Sequence, residues 1–209
     1  MKTTMPFPAG RVIGLMAFFV ILAIRPLSHA ADIDDLTEAA RAGDLQAAMN
    51  ILASGIDVNA ENSDKLVPIV YAAANGHVEL VKLLIRHGAD PDAASSESGS
   101  TALHLAAQLD QAESVDVLLE SGADINMKDK LEMTPLIKAT YSCKTGIIAL
   151  LLKRGADPSI SDIRGETALM AARRRYDTYI ALFKDRPDDQ QGLRRLYGEV
   201  LALLQAEGG

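Results

Sequence analysis

Apolar residues gather along the chain in short clusters at helical spacing, and each cluster stops at a glycine. Leu80, Val81, Leu83, Leu84 and Ile85 precede Gly88; Val115, Val117, Leu118 and Leu119 precede Gly122; Ile147, Ile148, Leu150, Leu151 and Leu152 precede Gly155. A stripe with this spacing predicts an amphipathic helix. A glycine just past it predicts a left-handed C-terminal cap, because glycine alone takes positive φ without strain. Twenty-one residues before each of these glycines lies a second signal, Val67-Pro68-Ile69, Thr101-Ala102-Leu103-His104 and Thr134-Pro135-Leu136, with an earlier copy at Asp34-Asp35-Leu36 before Gly55. Thr or Asp as N-cap and Pro at the first helical position mark helix starts. The residues that follow are small: Ala39-Ala40, Ala72-Ala73, Ala106-Ala107 and Ala139-Thr140. Small side chains let neighbouring helices approach closely, so the first helix of each unit is the crowded inner one.

The period decides the architecture. Gly88-Ala89-Asp90, Gly122-Ala123-Asp124 and Gly155-Ala156-Asp157, with the fainter Gly55-Ile56-Asp57, stand 33, 34 and 33 residues apart. A fixed step in this range means a stacked array in which each unit leans on its neighbours. The expected fold class is all-α, a solenoid of about five helix pairs. A fifth helix start at Thr167-Ala168-Leu169 has its closing glycine, Gly208, 41 residues on. That places an insertion at about residues 176–196 and predicts an elongated first helix, a turn near Arg186-Pro187 and a long C-terminal capping helix.

With these strings in place, the chain resembles the ankyrin repeat, whose pattern runs Gly-x-Thr-Pro-Leu-His-x-Ala-Ala, then Gly-His, a Leu-rich helix and Gly-Ala-Asp-x-Asn. Thr101 to Asn126 follows it most closely, Val67 to Asp92 carries the Gly76-His77 pair, and the likeness runs from about Ile33 to Arg175. Asp110 and Cys143 stand where glycine is usual, and Val67 replaces the capping threonine. The implied repeats are 33–62, 63–96, 97–130, 131–162 and 163–209, within a domain of 31–209.

The first thirty residues fall outside this pattern. Lys2 and Arg11 precede the apolar run Val12 to Ile24, and Ser28-His29-Ala30 puts small residues where a signal peptidase cuts. A signal peptide over residues 1–30 is expected, cleaved between Ala30 and Ala31. The run is shorter than the roughly 20 residues of a spanning helix, so no membrane span is expected after cleavage. Cys143 is the lone cysteine and no Asn-x-Ser/Thr sequon occurs, which favours a periplasmic location. Cleavage would remove Lys2, Arg11 and Arg25 and no acid, moving the net charge from −7 to −10. A chain so acidic is a poor partner for nucleic acid, which wants a basic stripe. The charge is uneven: residues 164–209 hold eight basic and seven acidic side chains, among them Arg173-Arg174-Arg175.

Little in the chain suggests catalysis. His104, three residues after Thr101, suits a bond back to the cap; His77 sits in a turn and His87 beside a C-terminal glycine. No pair of His or Cys residues has ligand spacing, so no metal site and no cofactor is expected. Cys143 reads as a small packed residue rather than a nucleophile, and no Gly-rich phosphate loop or Gly-x-Ser-x-Gly elbow follows residue 30. The expectation is a non-enzymatic chain, monomeric alone.

What remains is surface. In ankyrin stacks the inner helices and turn tips form a concave groove, and the resemblance carries two rows of positions onto this chain. The first row is Glu38, Tyr71, Leu105, Lys138 and Ala171; the second includes Arg41, Asn75, Gln108, Leu109, Tyr141, Arg174 and Arg175. Tyrosine, leucine and arginine are the types that dominate interface energies. Tyr71, Asn75, Leu105, Gln108, Leu109, Lys138, Tyr141, Arg174 and Arg175 are therefore the expected partner-binding residues. The resemblance implies a protein partner, and small exported bacterial ankyrin proteins look like stress-protection factors or inhibitors. The alternative is a structural or chaperone-like accessory to an exported enzyme such as a catalase.

Overall fold

The computed structural model describes residues 32–182 and 187–207. The leader expected over residues 1–30 and its cleavage point lie outside them, as does Arg186 in the expected turn. Ten helices follow in order among the described residues: α1 (Ile33–Ala42), α2 (Leu45–Leu52), α3 (Pro68–Ala74), α4 (Val78–Arg86), α5 (Ala102–Gln108), α6 (Ala112–Glu120), α7 (Pro135–Tyr141), α8 (Thr145–Lys153), α9 (Ala168–Leu182) and α10 (Pro187–Glu207). They pair as five hairpins. Inner helices α1, α3, α5, α7 and α9 pack in a row, and α2, α4, α6, α8 and α10 form the outer row. Two isolated bridges, Ala94 with Thr101 and Ser161 with Thr167, are the β-pairing among the described residues.

The small residues of the inner helices are where the helices touch: Ala40, Ala72, Ala73, Ala106, Ala107, Ala139 and Thr140 are fully buried. Thr140 can stand in for alanine because its hydroxyl donates to Leu136 O at 2.8 Å, which satisfies the one polar atom it adds. Outer-helix residues Leu80, Leu84, Leu118, Ile148 and Leu151 fill the layer between the rows. A single continuous core runs the length of the array.

Helix starts follow the expected chemistry with one shift. Thr134 Oγ1 accepts from Ile137 N–H at 3.3 Å, and Val67 has no side-chain cap bond and relies on Pro68. At the first unit the cap is Asp32 rather than Asp34: Asp32 Oδ1 accepts from Asp35 N–H at 3.0 Å. Asp34 is thereby freed, and its carboxylate takes the Ser63 N–H at 2.9 Å. The helix-to-helix turns need a left-handed residue, and the two non-glycines there adopt it: φ is 73° at Gly76, 69° at Asp110 and 53° at Cys143.

Successive units are also sewn together by polar bonds. Asn59 Oδ1 accepts from Asp90 N–H at 2.8 Å, Asp92 Oδ1 from Asp124 N–H at 2.9 Å, and Asn126 Oδ1 from Asp157 N–H at 2.9 Å. The Asx residue two places after each of the first three Gly-x-Asp strings thus holds the aspartate N–H of the next string. Burial, with Asp90 and Asp124 nearby, pushes the Asp92 carboxyl above the usual aspartate range.

Candidate functional site

The concave side is built from inner helices and four fingers, the loops that connect one hairpin to the next. Each finger is rooted on a buried polar residue. Asn62 Oδ1 accepts from Asp64 and Leu66 N–H at 3.1 and 3.0 Å, Asp129 Oδ1 from Leu131 and Met133 at 2.8 and 2.9 Å, and Asp162 Oδ1 from Arg164 and Glu166 at 2.9 and 3.0 Å. In the second finger Ser95 plays this part, its hydroxyl oxygen facing the Glu97 N–H at 3.3 Å. Burial would raise both aspartate carboxyls. Lys138 beside Asp129 and Arg164 beside Asp162, together with the backbone N–H donors, outweigh it and hold them below the usual range.

His104 ties the third inner helix to the third finger. Its Nδ1 accepts from Thr101 N–H at 3.2 Å and faces Thr101 Oγ1 at 2.9 Å, which leaves the proton on Nε2 to donate to Met133 O at 2.9 Å. Burial lowers its pKa from the ordinary 6.5 and keeps the ring neutral. This is the cap the sequence suggests, with a link to the next repeat added. His77 makes a similar link, its Nε2 lying 3.1 Å from Arg41 O.

Tyr71 lies in the middle of α3 and Tyr141 at the end of α7, and the structure gives them opposite company. Tyr71 donates to Asp64 Oδ2 at 3.1 Å, and burial raises its phenol pKa. It walls a cavity of about 260 Å³ also lined by Asp34, Thr37, Glu38, Arg41, Asn62, Ser63 and Asp64. Arg41 is engaged with Glu38 at 2.6 Å, so the remaining carboxylates leave this end acidic. Tyr141 donates to Glu166 Oε2 at 3.1 Å and accepts from Arg174 Nη2 at 3.0 Å, with Arg164 Nη2 bonded to the same hydroxyl. The Arg164 and Arg175 guanidinium carbons each lie 5.6 Å from its ring centroid, within cation–π range. Arg174 Nε reaches Glu166 Oε1 at 2.8 Å.

Between these ends lie the other expected positions. Leu105 is half-buried and Leu109 is 50% exposed. Gln108 is half-buried, and Asn75 has its amide donating to Tyr71 O at 2.9 Å. Lys138 is pinned to the buried Asp129 at 2.8 Å. Ala171, which the resemblance would put in the first row, is fully buried. Arg175, besides lying over the Tyr141 ring, meets the Tyr179 hydroxyl at 3.1 Å and the Tyr197 hydroxyl at 3.4 Å with its guanidinium, bracing α9 against α10. Tyr197 itself is fully buried, its ring 6.0 Å from those of Tyr176 and Tyr179. Burial pushes its phenol up to about 12, reinforced by the Cys143 thiol and opposed by Arg175.

Sequence reasoning missed the acids that complete the groove. Asp64 and Glu166 meet the two tyrosines only through folding, Glu166 from 25 residues away, and Asp34 lines the cavity beside Tyr71. The signal available was the variation at the finger tips, where Asp64 and Arg164 hold the same place after Asn62 and Asp162. Among the described residues no group of His, Cys, Asp and Glu is arranged to hold a metal ion.

Comparison with known proteins agrees with this geometry. Models of ankyrin repeats match residues 36–129 and 109–152, together more than half of the chain. The chain belongs to the ankyrin-repeat family. It is similar to a putative ankyrin repeat protein, FPV031, of Fowlpox virus (strain NVSL), 37% identical over 115 residues that make up 54% of this chain and 34% of that protein. It is also similar to the E3 ubiquitin-protein ligase KEG of Arabidopsis thaliana, 37% identical over 94 residues, 45% of this chain and 6% of that one. A third relative is the transient receptor potential cation channel subfamily A member 1 of Homo sapiens, 35% identical over 150 residues, 54% of this chain and 13% of that one. The chain spans about a third or less of the length of these relatives. None of these three is a small exported bacterial protein by its name, so the likeness is to the ankyrin repeat as such rather than to that type. Ankyrin repeats mediate protein–protein interaction, and the family is usually non-catalytic.

Proposed function

We propose that the chain is exported to the periplasm and holds one protein partner in its concave groove, serving as an inhibitor or a stress-protection factor. The observation that carries the groove reading is the pair of tyrosine sites. Tyr71 with Asp64 and Tyr141 with Arg164, Arg174 and Glu166 are preorganised by bonds to fixed fingers, so binding need not order them. Leu105 and Leu109 supply apolar area between them. An interface with an apolar centre and polar, charged flanks matches the usual anatomy of a transient protein complex. Export rests on the apolar run Val12 to Ile24 and the Ser28-His29-Ala30 site.

Two experiments test this reading. Sequencing the N-terminus of the protein recovered from its cells should give Ala31; an intact Met1 start would remove the export claim. A photo-crosslinking amino acid at Leu109 should trap the partner, while the same group at Lys153, on the outer face of α8, should not. Trapping only from Lys153 would move the binding face to the convex side.

A further inference from the structure

Each inner helix except the last is covered by the next. The positions that take this cover recur: Val70 and Ala73 on α3, His104 and Ala107 on α5, Ile137 and Thr140 on α7, all buried to within 1%. The equivalent residues on α9 are Met170 and Arg173. Met170 is 53% exposed, and Arg173 is exposed with no hydrogen-bond or ion-pair partner among the described residues. α10 does not replace the missing neighbour. It packs on the opposite side of α9, where Ala168 and Ala172 are fully buried and Tyr176 and Tyr179 meet Tyr197.

The open face continues along α9 because α9 is 15 residues long where the three preceding inner helices have 7. At helical spacing Met170 and Arg173 are followed by Asp177, exposed and likewise without a partner among the described residues, and by the half-buried Ile180. Steps of three, four and three residues keep all four on one stripe. The stripe is self-complementary when turned end for end. In an antiparallel pair of α9 helices centred on position 175, Met170 faces Ile180 of the second copy, and Arg173 faces Asp177 of the second copy. A two-fold axis makes every contact twice.

We infer that a second copy of this chain docks on the exposed α9 face, forming a two-fold dimer through an antiparallel α9–α9 seam of Met170, Arg173, Asp177 and Ile180. This replaces the expectation of an isolated monomer and is independent of the groove reading. The seam lies at the end of the array where approach is least opposed, since residues 164–209 are close to neutral while the rest of the array is strongly acidic. One helix pair buries less than the 1,200–2,000 Å² or so of a stable complex, so the dissociation constant should fall around 10 µM.

The test is a charge swap read by sedimentation velocity on the purified full chain, over concentrations of roughly 1 to 200 µM so as to bracket that constant. The wild type should pass from monomer to dimer. Arg173→Asp alone and Asp177→Arg alone should each stay monomeric, because each places like charges opposite one another twice. Both residues are exposed, and circular dichroism should be unchanged. Mixing the two variants should restore the dimer. In the mixed pair the Arg173→Asp copy presents carboxylates at both seam positions and the Asp177→Arg copy presents guanidinium groups at both, so both facing contacts are attractive. A wild type that stays monomeric, single variants that dimerise as well as it does, or a mixture that remains monomeric would overturn the proposal.

Discussion

Tyr71 and Tyr141 both project from inner helices, four and seven residues after their caps, yet one closes an acidic cavity and the other lies under two arginines. The backbone around them is alike: inner helix, tight left-handed turn, outer helix, finger. What differs is the place on the helix and so the finger the hydroxyl reaches: Tyr71 meets Asp64 in the finger before α3, and Tyr141, nearer the helix end, meets Arg164 and Glu166 in the finger after α8. The place along the inner helix therefore fixes which finger is reached, and the finger fixes the chemistry. A partner lying along such a groove meets an acidic end and an arginine-rich end in a set order, which gives a symmetric-looking scaffold a direction.

The comparison breaks first if the repeats are not interchangeable in packing. Leu118 and Leu151 fill equivalent fully buried places in α6 and α8, and truncating either to alanine should cost about 2 to 5 kcal/mol in urea unfolding. Met170→Ala at the open end should cost less than about half a kcal/mol, as for surface changes generally. Similar losses at all three would mean that the array has no open end.

The turns offer a sharper contrast. Gly43 has φ 75°, and a Cβ there would lie 2.7 Å from the His77 ring, so Gly43→Ala should lower stability by about 1 to 2 kcal/mol from strain alone. Asp110→Gly should run the other way, raising the unfolding midpoint, because it relieves a left-handed residue and loses only the exposed 3.5 Å pair with Lys144. If Asp110→Gly destabilises the fold, that aspartate has a role beyond the turn.

His104 gives a pH dependence with a definite sign. Its folded pKa lies below the unfolded value near 6.5, so the unfolded chain binds the extra proton first. The contribution is whole above 6.5 and is lost as the pH falls from there through the folded value. His104→Gln should remove this part of the acid loss between about pH 7 and 5, measured as the difference in unfolding midpoint between variant and wild type. At the bottom of the scale, Glu79→Gln, which breaks the exposed 2.7 Å pair with Lys82, should leave the midpoint unchanged within error.

Much of the fold was legible because its rules are local and repeated. Thr134, Pro135 and the glycines at 88, 122 and 155 announce helix ends, and five hairpins follow from their spacing. The Asp34 start was misplaced by two residues because Asp32 offers the same carboxylate earlier and the next finger recruits Asp34. The groove was half legible. Periodicity brings Tyr71, Leu105 and Tyr141 to one side, but the bond from Tyr141 to Glu166 crosses between repeats and that from Arg175 to Tyr197 spans the insertion in the last one, where spacing carries no chemical information. Arg175 illustrates the limit: its guanidinium lies over the Tyr141 ring as spacing suggests, but its bonds to Tyr179 and Tyr197, which brace the closing helix, are not written in the repeat.

The central claim is that the concave side holds the partner, and one titration tests it. The trapped partner, once identified, is titrated into the wild type, Tyr141→Ala and Lys153→Ala, with folding checked by circular dichroism. A central anchor is worth about 2 kcal/mol or more, so Tyr141→Ala should weaken binding roughly thirtyfold while Lys153→Ala binds as the wild type does. Normal binding by Tyr141→Ala together with loss in Lys153→Ala would contradict the account and place the function on the convex face.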